Sequence, residues 1–386
     1  MSHPALLELA PMPVAARLPR LRAALREGER PCEALLVSKI VNIRYLTGFT
    51  GSAALVLLRG DELVFVTDGR YGDQAAEQLA AAGVAADLRV APTVAAQAEV
   101  LGAATRGVAH LGLEAESISW AQHREMAANW FSEAEVVPTT GLVEALRAVK
   151  DEGEVSRIEA AATIATTALE SILPSLAAGP TEGEIGLALD TEIRRLGAEG
   201  TSFETIVGSG PNGAKPHHRA TGSARRIVEG DLVVFDFGAL VDGYCSDMTR
   251  TVAVGKPTAM QRRMLDVVTA AQAAGVSAVR AGATGREVDE ACRTVIRDAG
   301  WADAFTHGTG HGVGLEIHEE PRVSWSVAAT LAAGHVVTVE PGVYLPEHGG
   351  VRVEDTVLVT SDGCRPLTHA PKEADPSAWP RPRPTT

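Results

Sequence analysis

The sequence of 386 residues is short of cysteine and of long apolar segments. Its four cysteines, Cys32, Cys245, Cys292 and Cys364, have no C-x-x-C spacing, so the pattern indicates neither a disulfide framework nor a thiolate zinc site. No run approaches the roughly 18 apolar residues that a membrane span needs. The first dozen residues also lack the basic segment of a secretory signal. We therefore expect free thiols and a cytoplasmic protein without a membrane partner.

Positive charge is also scarce. The formal net charge is −14, and no run of lysine and arginine offsets it, which argues against nucleic acid as a partner. The glycine-rich segments lack the Gly-Lys-Ser/Thr of a phosphate-binding loop, and the H-E-x-x-H zinc signature is absent. These absences leave an acidic globular protein whose chemistry must come from other motifs.

The length predicts two or three domains. Residues 14–29 have helical spacing that is broken near Pro19, and short β-rich runs follow, alternating with alanine-rich helical stretches. One of these β-rich runs is IRYLTGF, residues 43–49. This alternation predicts an α/β domain over residues 1–145.

The second half of the chain has a different pattern. Residues 141–173 indicate one long helix that bridges two domains, and further helices and antiparallel hairpins predict an α+β domain over residues 146–370. The tail, residues 371–386, is rich in proline, and we expect it to be flexible or extended on the surface.

Two aspartates flank a predicted hairpin. Asp242-Gly243 favours a tight type I′ turn, which would place Asp236 opposite Thr249 and Asp247 diagonally across the two strands. Two carboxylates on a half-buried face repel one another unless a divalent cation lies between them. The alternative is that both aspartates bond to backbone or pair with Arg250.

A second motif, THGTGHGVGLEIHEEP, brings His307, His311 and His318 within twelve positions and surrounds His311 with glycines. Glycines at this density let the backbone pass close to a ligand or a metal ion. The alternative is a glycine-rich surface turn with incidental histidines.

A third motif places Glu340 and Glu354 on two β-rich runs that look buried, with Arg352 on the same face as Glu354. Buried carboxylates need partners, and one arginine can neutralise only one of them. Together with Asp236, Asp247 and His311, these glutamates form an oxygen-rich set that suits hard or borderline cations. Two such ions would lie about 3.5–4 Å apart.

On these motifs the chain resembles the pita-bread metallopeptidases of family M24, from about residue 14 to residue 370. The segments VNIRYLTGFTGSAALVLL and VFVTDGRYGDQAAEQ are similar to the first domain of the proline-specific branch. Within that branch the resemblance is to small bacterial aminopeptidase P, with prolidase as a close relative. It implies a creatinase-like α/β N-terminal domain and an α+β pita-bread catalytic domain.

The resemblance also implies site residues. The metal ligands would be Asp236, Asp247, His311, Glu340 and Glu354, and the catalytic residues would be His217, His318, Glu340, Arg352 and His307. Arg352 would brace the carboxylates and Tyr344 would line the pocket, whereas His218 has no match and is expected to be an exposed neighbour.

The implied reaction is hydrolysis of the N-terminal Xaa-Pro bond of peptides by a hydroxide that bridges two divalent ions, Mn²⁺ ahead of Co²⁺ or Zn²⁺. The substrates would be peptides with proline at the second position, and the enzyme would be a homodimer. The alternatives are a prolidase and, more remotely, an inactive binding protein with the same fold.

Overall fold

The computed structural model describes residues 9–27 and 30–379, which divide into two compact units. The first unit is Met12–Arg147, and the second contains residues 148–379 together with residues 9–11. The sequence predicted this boundary at residue 145, and it did not predict that the segment before Met12 joins the second unit.

The first unit is a mixed sheet with helices. Its elements are α1 (Arg17–Glu27), β1 (Ala34–Val37), α2 (Ile40–Thr47), β2 (Ala54–Arg59), β3 (Glu62–Thr67), α3 (Gly72–Ala81), β4 (Asp87–Val90), α4 (Val94–Ala104), β5 (His110–Glu114), α5 (Trp120–Glu125), β6 (Glu135–Thr139) and α6 (Leu142–Ala148). The strand order is β4-β3-β2-β1-β5-β6. Strand β2 is antiparallel to β1 and β3, and the other pairs are parallel.

Two local predictions in this unit are wrong. The run IRYLTGF is mostly helix α2 rather than a strand, because Glu114 accepts hydrogen bonds from the backbone N–H groups of Ser38 and Lys39 at its start, and Gly48 ends it with a φ of 74°. Pro19 does not break α1, because it falls within the first turn, where proline is tolerated.

The second unit combines four helices within the described residues with short antiparallel strands. Its elements are α7 (Glu152–Ile172), α8 (Glu182–Arg195), β7 (Gly200–Thr201), β8 (Ile206–Ser209), β9 (Leu232–Phe237), β10 (Ala239–Val241), β11 (Tyr244–Cys245), β12 (Met248–Ala253), α9 (Ala259–Ala278), α10 (Gly285–Asp298), β13 (Gly310–Gly312), β14 (Glu319–Val323), β15 (Val336–Val339), β16 (Gly342–Leu345), β17 (Gly349–Arg352), β18 (Asp355–Val359) and β19 (Cys364–Pro366). The strands form sheets in the orders β11-β10-β7, β12-β9-β8, β14-β13-β15-β18-β19 and β16-β17.

The single long helix predicted over residues 141–173 is two helices, α6 and α7. Asp151 separates them, because it adopts an extended conformation and its side chain accepts a hydrogen bond from the N–H of Glu154, which forms a capping box.

The segment Glu152–Ala178 is long and apolar enough to cross a membrane by length and composition, but half of its most apolar window is buried. Its apolar residues, such as Leu169, pack in the core with Phe235, so we interpret it as a core helix.

The hairpin that carries the two aspartates has the predicted register. Asp242 and Gly243 form the turn with φ values of 45° and 75°, as a type I′ turn requires, and Thr249 lies opposite Asp236. Each glutamate-bearing run, in contrast, is split into two strands. Glu340 lies between β15 and β16, and Glu354 lies between β17 and β18, so neither glutamate belongs to a regular strand as predicted.

The tail differs from its prediction up to residue 379. Trp379 is only 6% exposed and packs against the core, and its Nε1 donates a hydrogen bond to the backbone oxygen of Glu373 at 2.8 Å. Lys372 Nζ lies 2.9 Å from Gln272 Oε1. Trp379 therefore packs against the second unit instead of lying on the surface, and residues 380–386 lie outside the described residues.

Candidate metal centre

The five predicted ligands come from five strand segments of the second unit. Asp236 is on β9, Asp247 precedes β12, His311 is in the middle of β13, Glu340 follows β15 and Glu354 precedes β18. The position of His311 depends on its flanking glycines. A Cβ at Gly310 would lie 2.0 Å from the Thr338 carbonyl oxygen, and one at Gly312 would lie 2.4 Å from that of Glu320. Only glycine therefore lets β13 fit between its neighbouring strands.

Three of the ligands form a compact cluster. One ligand atom each from Asp247, His311 and Glu354 lies within 4.8 Å of the others. His311 Nε2 is 3.5 Å from Asp247 Oδ2 and also 3.5 Å from Glu340 Oε1. His311 Nδ1 donates a hydrogen bond to the Gly312 carbonyl oxygen at 3.1 Å, which leaves the lone pair of Nε2 facing the carboxylates. This geometry is what a metal-ligating histidine needs.

The carboxylates carry more negative charge than the surrounding protein compensates. Burial, followed by the Glu354 charge, raises the pKa of Asp247 well above its usual value, and burial followed by the Glu340 charge does the same for Glu354. Burial also raises the pKa of Glu340 to about 8. Burial lowers the pKa of His311 to about 3, so its imidazole is neutral and able to ligate. Divalent cations would remove the repulsion, so this donor set fits them.

Arg352 pairs directly with one carboxylate of the site, that of Asp236. Its Nη2 pairs with Asp236, and its Nε donates a hydrogen bond to Thr249 Oγ1 at 3.0 Å. Thr249 Oγ1 in turn donates to Glu354 Oε2 at 2.7 Å. Arg352 therefore reaches Glu354 through a hydroxyl group rather than by direct pairing.

His307 is held next to the carboxylates by Tyr344. Its Nδ1 donates to the Gly308 carbonyl oxygen at 2.8 Å, so its Nε2 accepts a hydrogen bond from the Tyr344 hydroxyl at 2.8 Å. Arg352 Nη1 donates to the same hydroxyl at 3.0 Å. Burial lowers the pKa of His307 to about 4, so it is neutral. Tyr344 lies behind His307 and is not part of the cavity wall, contrary to the prediction.

The other histidines also lie near the cluster. The ring of His318 is exposed and meets that of His311 edge to face at 4.4 Å. His217 faces the cavity, whereas His218 Nε2 lies 2.9 Å from the buried carboxylate of Glu182. The prediction that His218 is merely an exposed neighbour is wrong.

All the predicted metal and catalytic residues line one cavity of about 690 Å³. They are His217, Asp236, Asp247, His307, His311, His318, Glu340, Arg352 and Glu354. The wall also contains Arg322 and Trp325, which the sequence reasoning missed. The signal that could have identified Arg322 is its spacing of four residues from His318, because alternate side chains along an extended segment such as β14 lie on the same face.

The sequence profile of Metallopeptidase family M24 matches residues 156–361, which is more than half of the chain. The chain belongs to metallopeptidase family M24. The profile of the Creatinase/Prolidase N-terminal domain matches residues 17–149 of this metallopeptidase. The predicted combination of a creatinase-like domain with a pita-bread catalytic domain is therefore confirmed.

The similarity of this metallopeptidase to known proteins extends over most of its length. It is 41% identical over 346 residues to the Bacillus subtilis protein named uncharacterized peptidase YqhT, covering 90% of this chain and 96% of the relative. The solved structure of an Xaa-Pro dipeptidase from Bacillus anthracis matches with a TM-score of 0.87 at 37% identity, covering 94% and 99% of the two chains. An X-Pro aminopeptidase from Thermotoga maritima matches with a TM-score of 0.84 at 33% identity, covering 92% and 99%.

Proposed function

We propose that this metallopeptidase hydrolyses the Xaa-Pro bond at the N-terminus of peptides, which is aminopeptidase P activity. The observation that carries the proposal is that one cavity contains both the carboxylate cluster, with its neutral imidazole, and three further histidines. The names of the B. anthracis and T. maritima structures support proline as the residue after the cleaved bond. The complete donor set argues against an inactive binding protein.

The cluster would hold two divalent ions, for which Mn²⁺ is our first choice because oxygen ligands dominate the set. Four carboxylates and the Arg352 guanidinium sum to a formal charge of −3, which one divalent ion leaves unbalanced. When bound, such ions acidify a water molecule and polarise a carbonyl oxygen. The homodimer is a further prediction from the family resemblance, and the cytoplasmic location is one from the sequence.

The residues of the chain supply the proton transfer and the positioning. His318 is exposed at the cavity wall beside His311, where its N–H can donate to the oxygen of the scissile carbonyl as negative charge develops. Glu340 can accept the proton of the attacking water and pass it to the leaving nitrogen. The leaving proline nitrogen needs this proton, because it can then depart as a neutral amine rather than as an amide anion.

A specific observation favours a second candidate, the Xaa-Pro dipeptidase. Arg322 lines the cavity with an exposed side chain, and its charge is the next cause after burial that lowers the pKa of His318. A guanidinium in the cavity wall could pair with the free carboxylate of a dipeptide. A longer peptide has no carboxylate at that position.

Hydrolysis of Ala-Pro and Ala-Pro-Ala after chelation and return of Mn²⁺ tests both candidates. Cleavage of Ala-Pro-Ala to alanine and Pro-Ala supports aminopeptidase P activity, and cleavage of Ala-Pro alone assigns the dipeptidase. In the dipeptidase case, Arg322→Met should raise KM for Ala-Pro, with Arg322→Lys as the conservative control. If the metal-restored protein cleaves only peptides without proline at the second position, both candidates fail.

A further inference from the structure

The carboxylate of Glu182 is buried and lies outside the metal centre. Glu182, the first residue of α8, is 0% exposed and accepts hydrogen bonds from side chains and backbone of a single segment, residues 209–223. The donors are Ser209 N at 2.7 Å, Ser209 Oγ at 2.7 Å, Asn212 Nδ2 at 3.0 Å, His218 Nε2 at 2.9 Å and Ser223 Oγ. A buried charge with this many donors fixes their positions strongly, because losing any one leaves it undersolvated.

The segment that Glu182 holds carries a tight turn at the edge of the cavity. The His218 N–H donates to the Lys215 carbonyl oxygen at 3.1 Å, so Pro216 and His217 occupy the two central positions, and proline is favoured at the first of these. His217 at the turn tip faces the cavity, while the side chain of His218 points the other way to Glu182. The two neighbouring histidines therefore have separate roles.

The same turn is also held from the side of the metal centre. Arg352 Nη1 donates a hydrogen bond to the Pro216 carbonyl oxygen at 3.2 Å, and its Nη2 pairs with Asp236. The turn is thus fixed between a buried carboxylate on α8 and a buried guanidinium on β17. Loss of the first contact would remove the restraint that acts on the turn through His218.

We propose that Glu182 is a positioning residue that acts through His218 to hold His217 against the substrate. The proposal rests on the proposed function, since it takes His217 to contact the bound peptide. Glu182 does not itself reach the cavity wall, so it changes the reaction only by changing where His217 lies. Substitution of a residue that merely stabilises the fold would instead lower kcat/KM by the same factor whether or not His217 is present.

This difference gives a double-mutant test on the full chain with Mn²⁺. The variants are Glu182→Gln, His217→Ala and the two combined, and the measurements are kcat and KM for the best Xaa-Pro substrate, metal content and thermal unfolding. We expect Glu182→Gln to lower kcat/KM at least tenfold with unchanged metal content, and to have no further effect in the His217→Ala background. Additive effects, or an unchanged kcat/KM, would overturn the proposal.

The matched control is Glu184→Gln, which removes a carboxylate from the same first turn of α8. Glu184 caps the exposed end of the helix by accepting from the Thr181 N–H at 2.7 Å, so this change should leave kcat/KM within twofold. An equal loss in Glu184→Gln would mean that the helix end rather than the turn is responsible.

A second pair of variants keeps the proposal testable if Glu182→Gln fails to fold. His218→Gln retains a donor toward Glu182 and should preserve most of the activity, whereas His218→Ala should not; equal activity of the two would contradict the proposal. If the wild-type protein cleaves no Xaa-Pro substrate, the proposed function fails by itself. The same double-mutant cycle then runs on whichever peptide the enzyme does cleave, and additivity there overturns the role of Glu182 separately.

Discussion

The buried ion pair behind His318 gives the sharpest stability prediction. Lys150 Nζ lies 3.0 Å from Glu319 Oε2, with side-chain exposures of 0% and 6%. The carboxylate also accepts from the Glu316 N–H at 3.1 Å and lies against Gly314, where an added Cβ would be 2.7 Å from it. Lys150→Met keeps the length of the side chain but removes the Lys150 ammonium group from the buried carboxylate. We expect this to lower the free energy of unfolding by about 3–5 kcal/mol.

Equilibrium urea unfolding measures this loss, and thermal unfolding should show it as a fall of roughly 6–20 °C at about 2–4 °C per kcal/mol. The matched control is Arg195→Met, because Arg195 pairs with Glu192 at 2.6 Å but is 59% exposed, and such pairs contribute at most about 1 kcal/mol. The double variant Lys150→Met/Glu319→Gln should recover most of the stability, since no buried charge is left unpaired. A loss below about 1 kcal/mol in Lys150→Met, or no recovery in the double variant, would refute the reasoning.

Three further predictions concern the metal centre and the loop beside it. Asp247→Asn should abolish metal-dependent hydrolysis and lower the metal content in elemental analysis, while circular dichroism stays unchanged; normal turnover would remove Asp247 from the ligand set. In the metal-free protein the pKa of Glu340, about 8, is above its unfolded value, so the folded state binds more protons there. Its melting temperature should therefore fall as pH rises from about 5 to 8, and neither Glu340→Gln nor the metal-loaded protein should show this fall to the same extent. Arg293 donates to the Phe305 carbonyl oxygen at 3.0 Å, so Arg293→Met should cost about 1.5–3 kcal/mol in urea unfolding, whereas Arg297→Met on the exposed face of the same helix should cost far less.

The parts of the site that the sequence predicts well are those fixed by local chemistry. A type I′ turn requires two positive φ values, which Asp242-Gly243 can adopt. The position of this turn determines the strand register and therefore the facing positions of Asp236 and Thr249. The glycines around His311 likewise indicate that the backbone there passes close to other atoms, because a larger residue would not fit. Such features need no knowledge of distant residues.

The parts that the sequence mispredicts depend on distant partners. Helix α2 begins where Glu114, more than seventy residues away, accepts hydrogen bonds from the N–H groups of the two residues just before it, so the β-rich composition of residues 43–49 was misleading. Glu182 and His218 looked unremarkable for the same reason, since their contact spans thirty-six positions. Periodicity in the sequence predicts the conformation of one segment at a time, whereas these contacts depend on which two segments pack together.

Arg352 explains how a centre built from separate hairpins keeps a single geometry. Its guanidinium contacts Asp236 on β9, Thr249 on β12, Tyr344 on β16 and the turn at Pro216, so one planar group fixes four segments at once. Lysine could replace the charge but not this arrangement, because its three donors radiate from one atom. The same group also sets the charge balance, since it neutralises Asp236 and leaves Asp247, Glu340 and Glu354 to the cations. The arginine is therefore needed both to position the ligands and to limit how much positive charge the site requires.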